Sequence, residues 1–254
     1  PLLEAYVKRV DPDRAAAFGS LYNCIRGYNQ PSRYAELPET TRNACLAKVT
    51  EAFTTLDQRR AEYATRSSEE EYEKHLRYAR VILQAEATWA RRGNRDAFMA
   101  ENVEWLADVA HPGEKLVLWA HNGHVSADNA FRMGSVLRRR FGSDMVIVGF
   151  DFDRGGFTSN GPAGLGPQRV DQGPPDGWEA FFRQAGKPRF ILDLRKPWAP
   201  RAASYVKTPQ LLWSIGSVWD PVNAATRHRW PVALANAFDV MVYIETVTAS
   251  RLNQ

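Results

Sequence analysis

The sequence predicts an α/β fold: a mostly parallel sheet core, preceded by a helical, insertion-like N-terminal part. Three observations lead there. Through residues 1–110 apolar side chains recur at spacings of three and four, and β-branched runs are scarce. After Gly113 the pattern changes to short continuous apolar runs: KLVLWA (115–120), MVIVGF (145–150), RFILDL (189–194) and FDVMVYIE (238–245). Such runs suit strands covered on both faces. A helical stretch separates the first two, the spacing of a right-handed parallel strand–helix–strand unit. The expected domains are therefore a helical region, 1–110, and an α/β core portion, 111–254.

The elements follow in order. Leu46, Val49, Phe53 and Leu56 place an amphipathic helix over 38–66, with Glu39-Thr40-Thr41 near its start. Ser67-Ser68 ahead of Glu69-Glu70-Glu71 supplies a hydroxyl cap and an acidic first turn, both favourable to the positive end of a helix dipole. The helix they open runs to residue 92, turns Tyr72, Leu76, Ala79, Leu83 and Ala87 inward, and stops at Gly93-Asn94. A third helix, 95–109, carries Phe98, Asn102, Trp105 and Leu106 on one side and ends at His111-Pro112-Gly113. Further helices are expected at 130–141, closed by Gly142, and at 176–185. Between the strands, 159–177 is rich in Gly and Pro, and 197–231 contains Trp198, Trp213, Trp219 and Trp230. Both read as long, irregular, packed loops of functional use, because structureless loops of this length are otherwise uncommon.

The composition excludes several classes. The 254 residues carry 33 Lys+Arg against 29 Asp+Glu, a net charge of +4, with 44% hydrophobic residues, as in an ordinary globular chain. No apolar run approaches the roughly 20 residues that a membrane helix needs. Bases are scattered among acids, with Arg138-Arg139-Arg140 the one run, so no nucleic-acid partner is expected. The chain opens on Pro1, which reads as part of a longer polypeptide. Cys24 and Cys45 flank the turn-rich stretch 26–32. They form either a disulfide, worth roughly 3 kcal/mol in the chain-entropy model, or two buried thiols. The disulfide is preferred because both residues belong to one local hairpin, and it would place the chain in the periplasm or outside the cell rather than in the cytoplasm.

The window Trp119-Ala120-His121-Asn122-Gly123-His124 holds two of the five histidines, just beyond the carboxyl end of an expected strand, where open α/β sheets bind ligands. Histidine suits general-base work on water, so His121 and His124 are the catalytic candidates. Asn122 would orient a ring or donate to an oxyanion, and Gly123 permits the turn. In a second window, Arg95, Met99 and Asn102 share a helix face, and Arg95 would stabilise negative charge on a carbonyl oxygen. The competing reading is a solvated helix start. The chain has no nucleophile elbow, Walker A or dinucleotide fingerprint, and the histidine pair has no third ligand at recognisable spacing. Neither cofactor nor metal is expected.

RDAFMAENVEWL (95–106) followed by KLVLWAHNGH (115–124) resembles the erythromycin esterase family, which includes proteins labelled as succinoglycan-biosynthesis-like. The later order is also similar: a helix with Met133-Gly134 and Leu137, then VGFDFDRGGF (148–157), LDLR (192–195), and Phe238-Asp239 leading to Tyr243-Ile244. The resemblance covers nearly the whole chain and is most specific over 86–157. It implies a hydrolase in which histidine-activated water opens an ester or macrolactone, as in macrolide inactivation and antibiotic resistance. By motif, His121, His124 and Arg95 would be catalytic. Asn122, Asn102, Glu101 and Phe157 would contact a small-molecule ester or macrolide substrate, with loops around 157–177 and 197–231 lining its cleft. The alternative is an accessory protein on the same scaffold that binds a glycan, metal or haem in exopolysaccharide processing. One departure stands out: the family's N-terminal Gly-Glu…His segment has no counterpart, and residues 1–111 hold only His75, expected to be solvated, and His111. The chain therefore resembles the family's C-terminal part, with half of an active site and an uncovered sheet edge.

Overall fold

The computed structural model describes residues 2–27 and 31–251. Tyr28, Asn29 and Gln30 of the expected turn lie outside the described residues. The chain divides into two compact units, Pro1–Leu116 and Val117–Gln254. Among the described residues no helix is long and apolar enough to cross a membrane.

The first unit is helical: α1 (Leu2–Val10), α2 (Pro12–Ser20), α3 (Asn23–Arg26), α4 (Pro31–Ala35), α5 (Glu39–Gln58), α6 (Arg60–Arg66), α7 (Glu69–Trp89) and α8 (Arg95–Trp105), the last continuing into a wider π turn, Leu106–Ala110. The expected helix over 38–66 breaks at Arg59, whose φ of −106° and ψ of 19° are not helical. The break turns α6 so that Tyr63 is buried with its hydroxyl donating to Asp11 Oδ2 at 2.9 Å. Val49 and Leu56 of α5 and Tyr72 and Ala79 of α7 are buried together with Tyr6, Val7 and Tyr34. Two more buried phenols find acceptors: Tyr34 donates to Glu86 Oε1 at 2.8 Å and Tyr72 to the Leu56 carbonyl at 3.1 Å. Ser68 caps α7 by accepting from the Glu71 N–H at 3.1 Å. Arg91 takes the left-handed conformation (φ 58°) and closes that helix ahead of Gly93. Asn94, expected as part of the stop, also caps α8, its Oδ1 accepting from the Asp96 N–H at 2.9 Å. Cys24 of α3 and Cys45 of α5 form a disulfide, with Cα atoms 5.5 Å apart. His75 is not solvated as expected: its ring stacks on Tyr6 at 4.0 Å and its Nδ1 lies 2.7 Å from the Glu71 carbonyl.

The second unit is α/β. Its helices are α9 (Asn122–Val125), α10 (Met133–Phe141), α11 (Trp178–Arg183), α12 (Pro200–Lys207), α13 (Ala224–Arg227) and α14 (Leu234–Ala237). The strands are β1 (Val148–Gly161), β2 (Gly164–Val170), β3 (Arg189–Asp193), β4 (Gln210–Trp213), β5 (Arg229–Val232) and β6 (Val240–Val247). One sheet has the order β2-β1-β6-β3, and β4 pairs with β5 in a second. β1 and β6 are parallel, whereas β1–β2 and β3–β6 are antiparallel. The sheet is therefore mixed rather than mostly parallel. Part of the Gly/Pro-rich stretch 159–177 is the β1–β2 hairpin, not an irregular loop. Pro162 and Ala163 form the two-residue loop, and Gly164 follows at φ 96°, where a side chain would be strained. Likewise 197–231 contains α12, β4, α13 and β5.

The expected strand at 115–120 is absent: residues 114–121 join no ladder and no helix. A run becomes a strand only when a neighbour takes its backbone groups. The segment also stays in water, with Val117 93% and Trp119 86% exposed. One face of the main sheet packs Met241, Tyr243 and Phe190 against Trp178, Phe182 and Phe238. The register places Val148, Phe150, Val242, Ile244 and Ile191 on the other face, where Ile191 is 73% exposed. Apolar residues on both faces are the mark of a sheet covered twice.

Candidate active site

The His121–His124 turn follows residues 114–120 and is attached to β1 by a side chain. Asn122 Nδ2 donates to the Phe150 carbonyl at 2.6 Å, and its Oδ1 accepts from the Phe150 N–H at 3.1 Å. β2 pairs only with 155–161 of β1, so this part of β1 has an open edge. The Asn122 amide sits where a neighbouring strand would pair, and both of its polar groups are spent there.

His121 caps α9. Its Nδ1 accepts from the Gly123 N–H at 3.0 Å, and its Nε2 lies 3.1 Å from the Ile215 carbonyl. An acceptor at Nδ1 and a carbonyl at Nε2 select the neutral tautomer with the proton on Nε2. The ring centroid is 6.1 Å from that of Trp230. Desolvation pushes the His121 pKa down, the Ile215 carbonyl opposes it, and the charges of His124 and Arg132 push it further down. His121 is thus held uncharged with both nitrogens engaged. His124 is half-buried on α9, its backbone N–H donating to the His121 carbonyl at 2.8 Å.

Arg132, just before α10, completes the cluster. Its Nη1 donates to Ser126 Oγ and, at 2.8 Å, to Asp128 Oδ1, and its guanidinium lies 5.0 Å from the Trp230 ring centroid. α10 can sit this close only because residue 134 is glycine. A Cβ there would meet the Val125 carbonyl oxygen at 1.7 Å, a backbone atom that cannot swing aside. Gly134→Ala is therefore expected to lower stability by about 1–3 kcal/mol, as overpacking does, and to disturb the His124 turn. Urea unfolding checks the first effect, and the His124 imidazole NMR signals check the second. At the far end of α10, Asp239 accepts from Arg138 and, at 2.7 Å, from the Ile147 N–H, tying this helix to the start of β6.

The other candidates are placed as follows. Arg95, Glu101 and Asn102 belong to the first unit. Arg95 is exposed at the start of α8. Glu101 accepts from Arg77 at 3.1 Å and from Arg80 at 3.0 Å, beside a cavity of about 250 Å³ with Trp105 and Phe53 in its wall. Burial raises the Glu101 pKa, but the bond from Arg80 and the two guanidinium charges outweigh it and leave it lowered. Asn102 donates to Gln84 Oε1 at 3.0 Å. Phe157 packs edge-on against Trp219, centroids 5.1 Å apart, in a small aromatic cluster of the second unit. Among the described residues no three His, Cys, Asp or Glu side chains are grouped to hold a metal ion.

Sequence reasoning passed over Arg132 and the Ile215 carbonyl, which lie outside any motif, and reached Trp230 only as one of four tryptophans in a stretch expected to line the cleft. It also passed over three buried carboxylates: Asp151 and Asp153 on β1, and Glu179 on α11. The alternation Asp151-Phe152-Asp153 was their available signal, since strand period two puts both acids on one face.

A mixed α/β unit carrying a two-histidine turn against an open strand edge, with a helical unit ahead of it, defines a class of fold. The chain belongs to the erythromycin esterase family, whose pattern it matches over residues 3–247. It is 24% identical over 169 residues to YbfO of Bacillus subtilis (strain 168), which is named as a hydrolase; this spans 61% of this chain and 35% of that one. A protein of known structure from Bacillus cereus superposes with a TM-score of 0.84 at 20% identity, covering 99% of this chain and 64% of its own. A succinoglycan biosynthesis protein superposes with a TM-score of 0.70 at 18% identity, covering 96% and 61%. A mutant of the erythromycin esterase EreC in its open conformation superposes with a TM-score of 0.59 at 17% identity, covering 96% and 64%. These solved structures share the fold, and this chain spans less than two thirds of each.

Proposed function

We propose that this chain carries the histidine part of a hydrolase that cleaves a carboxylic ester or macrolactone with water, with His124 as the general base. The observation that carries the assignment is the occupation of His121: both its ring nitrogens are engaged by backbone groups, so it positions the turn. His124, half-buried on the same turn, supplies an imidazole for proton transfer, a task that suits the histidine side chain near neutral pH. Family membership supports hydrolysis as the reaction class. The substrate would reach the histidine turn past Trp230 and the Ile215 loop.

The test is incubation of the purified protein with a macrolide lactone and with p-nitrophenyl acetate. Addition of one water to the macrolide, seen by mass spectrometry, or release of p-nitrophenolate supports the proposal. Absence of both overturns it.

A further inference from the structure

The hydrolytic reading leaves one charge unassigned. Addition of water to an ester carbonyl creates an anionic oxygen, and a neutral His121 offers it no charge. We propose that Arg132 holds the anionic oxygen of the tetrahedral intermediate, a role that rests on the hydrolase reading and adds a catalytic residue to the same site.

Three features of the geometry carry it. First, Arg132 shares its aromatic support with the histidine turn. The Trp230 ring lies 5.0 Å from the Arg132 guanidinium and 6.1 Å from the His121 ring, so the three groups form one cluster. Second, the guanidinium is held in place. Nη1 bonds to Ser126 Oγ and Asp128 Oδ1, and the plane packs on the indole, a combination that a lysine could not reproduce. These bonds do not use Nε or Nη2. Third, the Arg132 side chain is 20% exposed, so its charge is partly desolvated yet reachable. A charge already held in place before reaction costs no reorganisation when negative charge develops beside it, which is how such groups stabilise tetrahedral intermediates. Asp128, itself 15% exposed, anchors the guanidinium and offsets part of its charge. His121 and His124 complete the titratable groups shown to act on this cluster.

The chemistry balances without an added reagent. The water oxygen bonds to the carbonyl carbon while one water proton passes to His124. The carbonyl π pair moves onto oxygen, and that negative charge faces Arg132. Collapse re-forms the carbonyl, breaks the carbon–oxygen bond to the alcohol, and returns the proton from His124 to the departing oxygen. Arg132 stays protonated throughout.

The experiment compares wild type, Arg132→Ala and Arg132→Lys on p-nitrophenyl acetate, with near-UV circular dichroism reporting the Trp230 environment. Arg132→Ala is expected to lower kcat about 10²–10³-fold, as loss of one oxyanion donor does, with KM within a few-fold of wild type. Millimolar guanidinium should restore part of that kcat in Arg132→Ala and none in wild type. Arg132→Lys should fall between the two, and it keeps the test valid if Arg132→Ala folds poorly. The role is overturned if kcat is unchanged, if only KM rises, or if guanidinium restores nothing in a folded Arg132→Ala. Normal turnover in wild type and Arg132→Ala together refutes Arg132 alone. A wild type with no turnover refutes the hydrolase reading and this role with it.

Discussion

His124→Ala is expected to reduce ester hydrolysis by about 10²–10⁴-fold, the range that general acid–base catalysis contributes. The loss should fall on kcat, because the imidazole is needed to take the proton from attacking water rather than to hold substrate. His121→Ala should also lose activity, but by another route. Without its ring, the Gly123 N–H and the Ile215 carbonyl lose their shared partner, and the α9 turn loses its cap. His121→Asn separates the two routes. Asparagine is a good helix cap and restores an acceptor for the Gly123 N–H, so it should recover much more activity at 121 than at 124. If His124→Ala turns over at the wild-type rate, His124 is not the base.

The second large effect concerns stability. Glu179 is fully buried, one carboxylate oxygen accepting from the Trp213 backbone N–H. Burial above all, with a smaller push from the Asp153 charge, raises its pKa to about 7 against the lowering effects of the Trp213 bond and the Arg229 charge. Asp151, also buried, is raised well above the usual carboxylate range by burial first and then by the Glu179 charge. The sign follows from proton linkage. Below the unfolded pKa near 4.5, both folded and unfolded chains hold the Glu179 proton and the group costs nothing. As pH rises from there to about 7, the unfolded chain releases the proton while the folded one keeps it, so stability falls through that window and levels off above it. At about 1.4 kcal/mol per pH unit, the full cost is on the order of 3 kcal/mol. Glu179→Gln should therefore gain stability relative to wild type between pH 4.5 and 8, and Gln Oε1 can keep the Trp213 bond. Urea unfolding of both proteins across that range checks it. Exposed pairs such as Asp193–Arg195 have the opposite pH dependence, but they are common to both proteins and cancel in the difference. A stability difference that does not change with pH would refute the buried-acid account.

The parts legible from sequence are those whose cause is local. The helices show because three-and-four periodicity and caps such as Ser68 act within one element. The histidine window shows because its residues are adjacent. The Cys24–Cys45 pairing was legible as one of two alternatives, since the helices it joins are neighbours in sequence. The illegible parts depend on distant partners. KLVLWA has every local property of a strand, yet it lacks a ladder, because pairing belongs to two segments and not to one. The sheet direction was misread for the same reason. β6 lies beside β1 across some 90 residues of sequence, and β2 returns antiparallel through a tight Pro162–Gly164 turn within a stretch that composition alone describes as loop.

By itself, the sequence determined the fold class, the family and the chemistry available at the turn: two imidazoles, an amide and a glycine in four consecutive positions. Only the tertiary structure decided how that chemistry is divided. It spends Asn122 on the β1 edge, engages both His121 nitrogens with backbone from residues 123 and 215, and brings in Arg132 over Trp230. A side chain's identity fixes which bonds it can make. Which of those bonds are already taken depends on groups up to 94 positions away, and only folding brings them within reach.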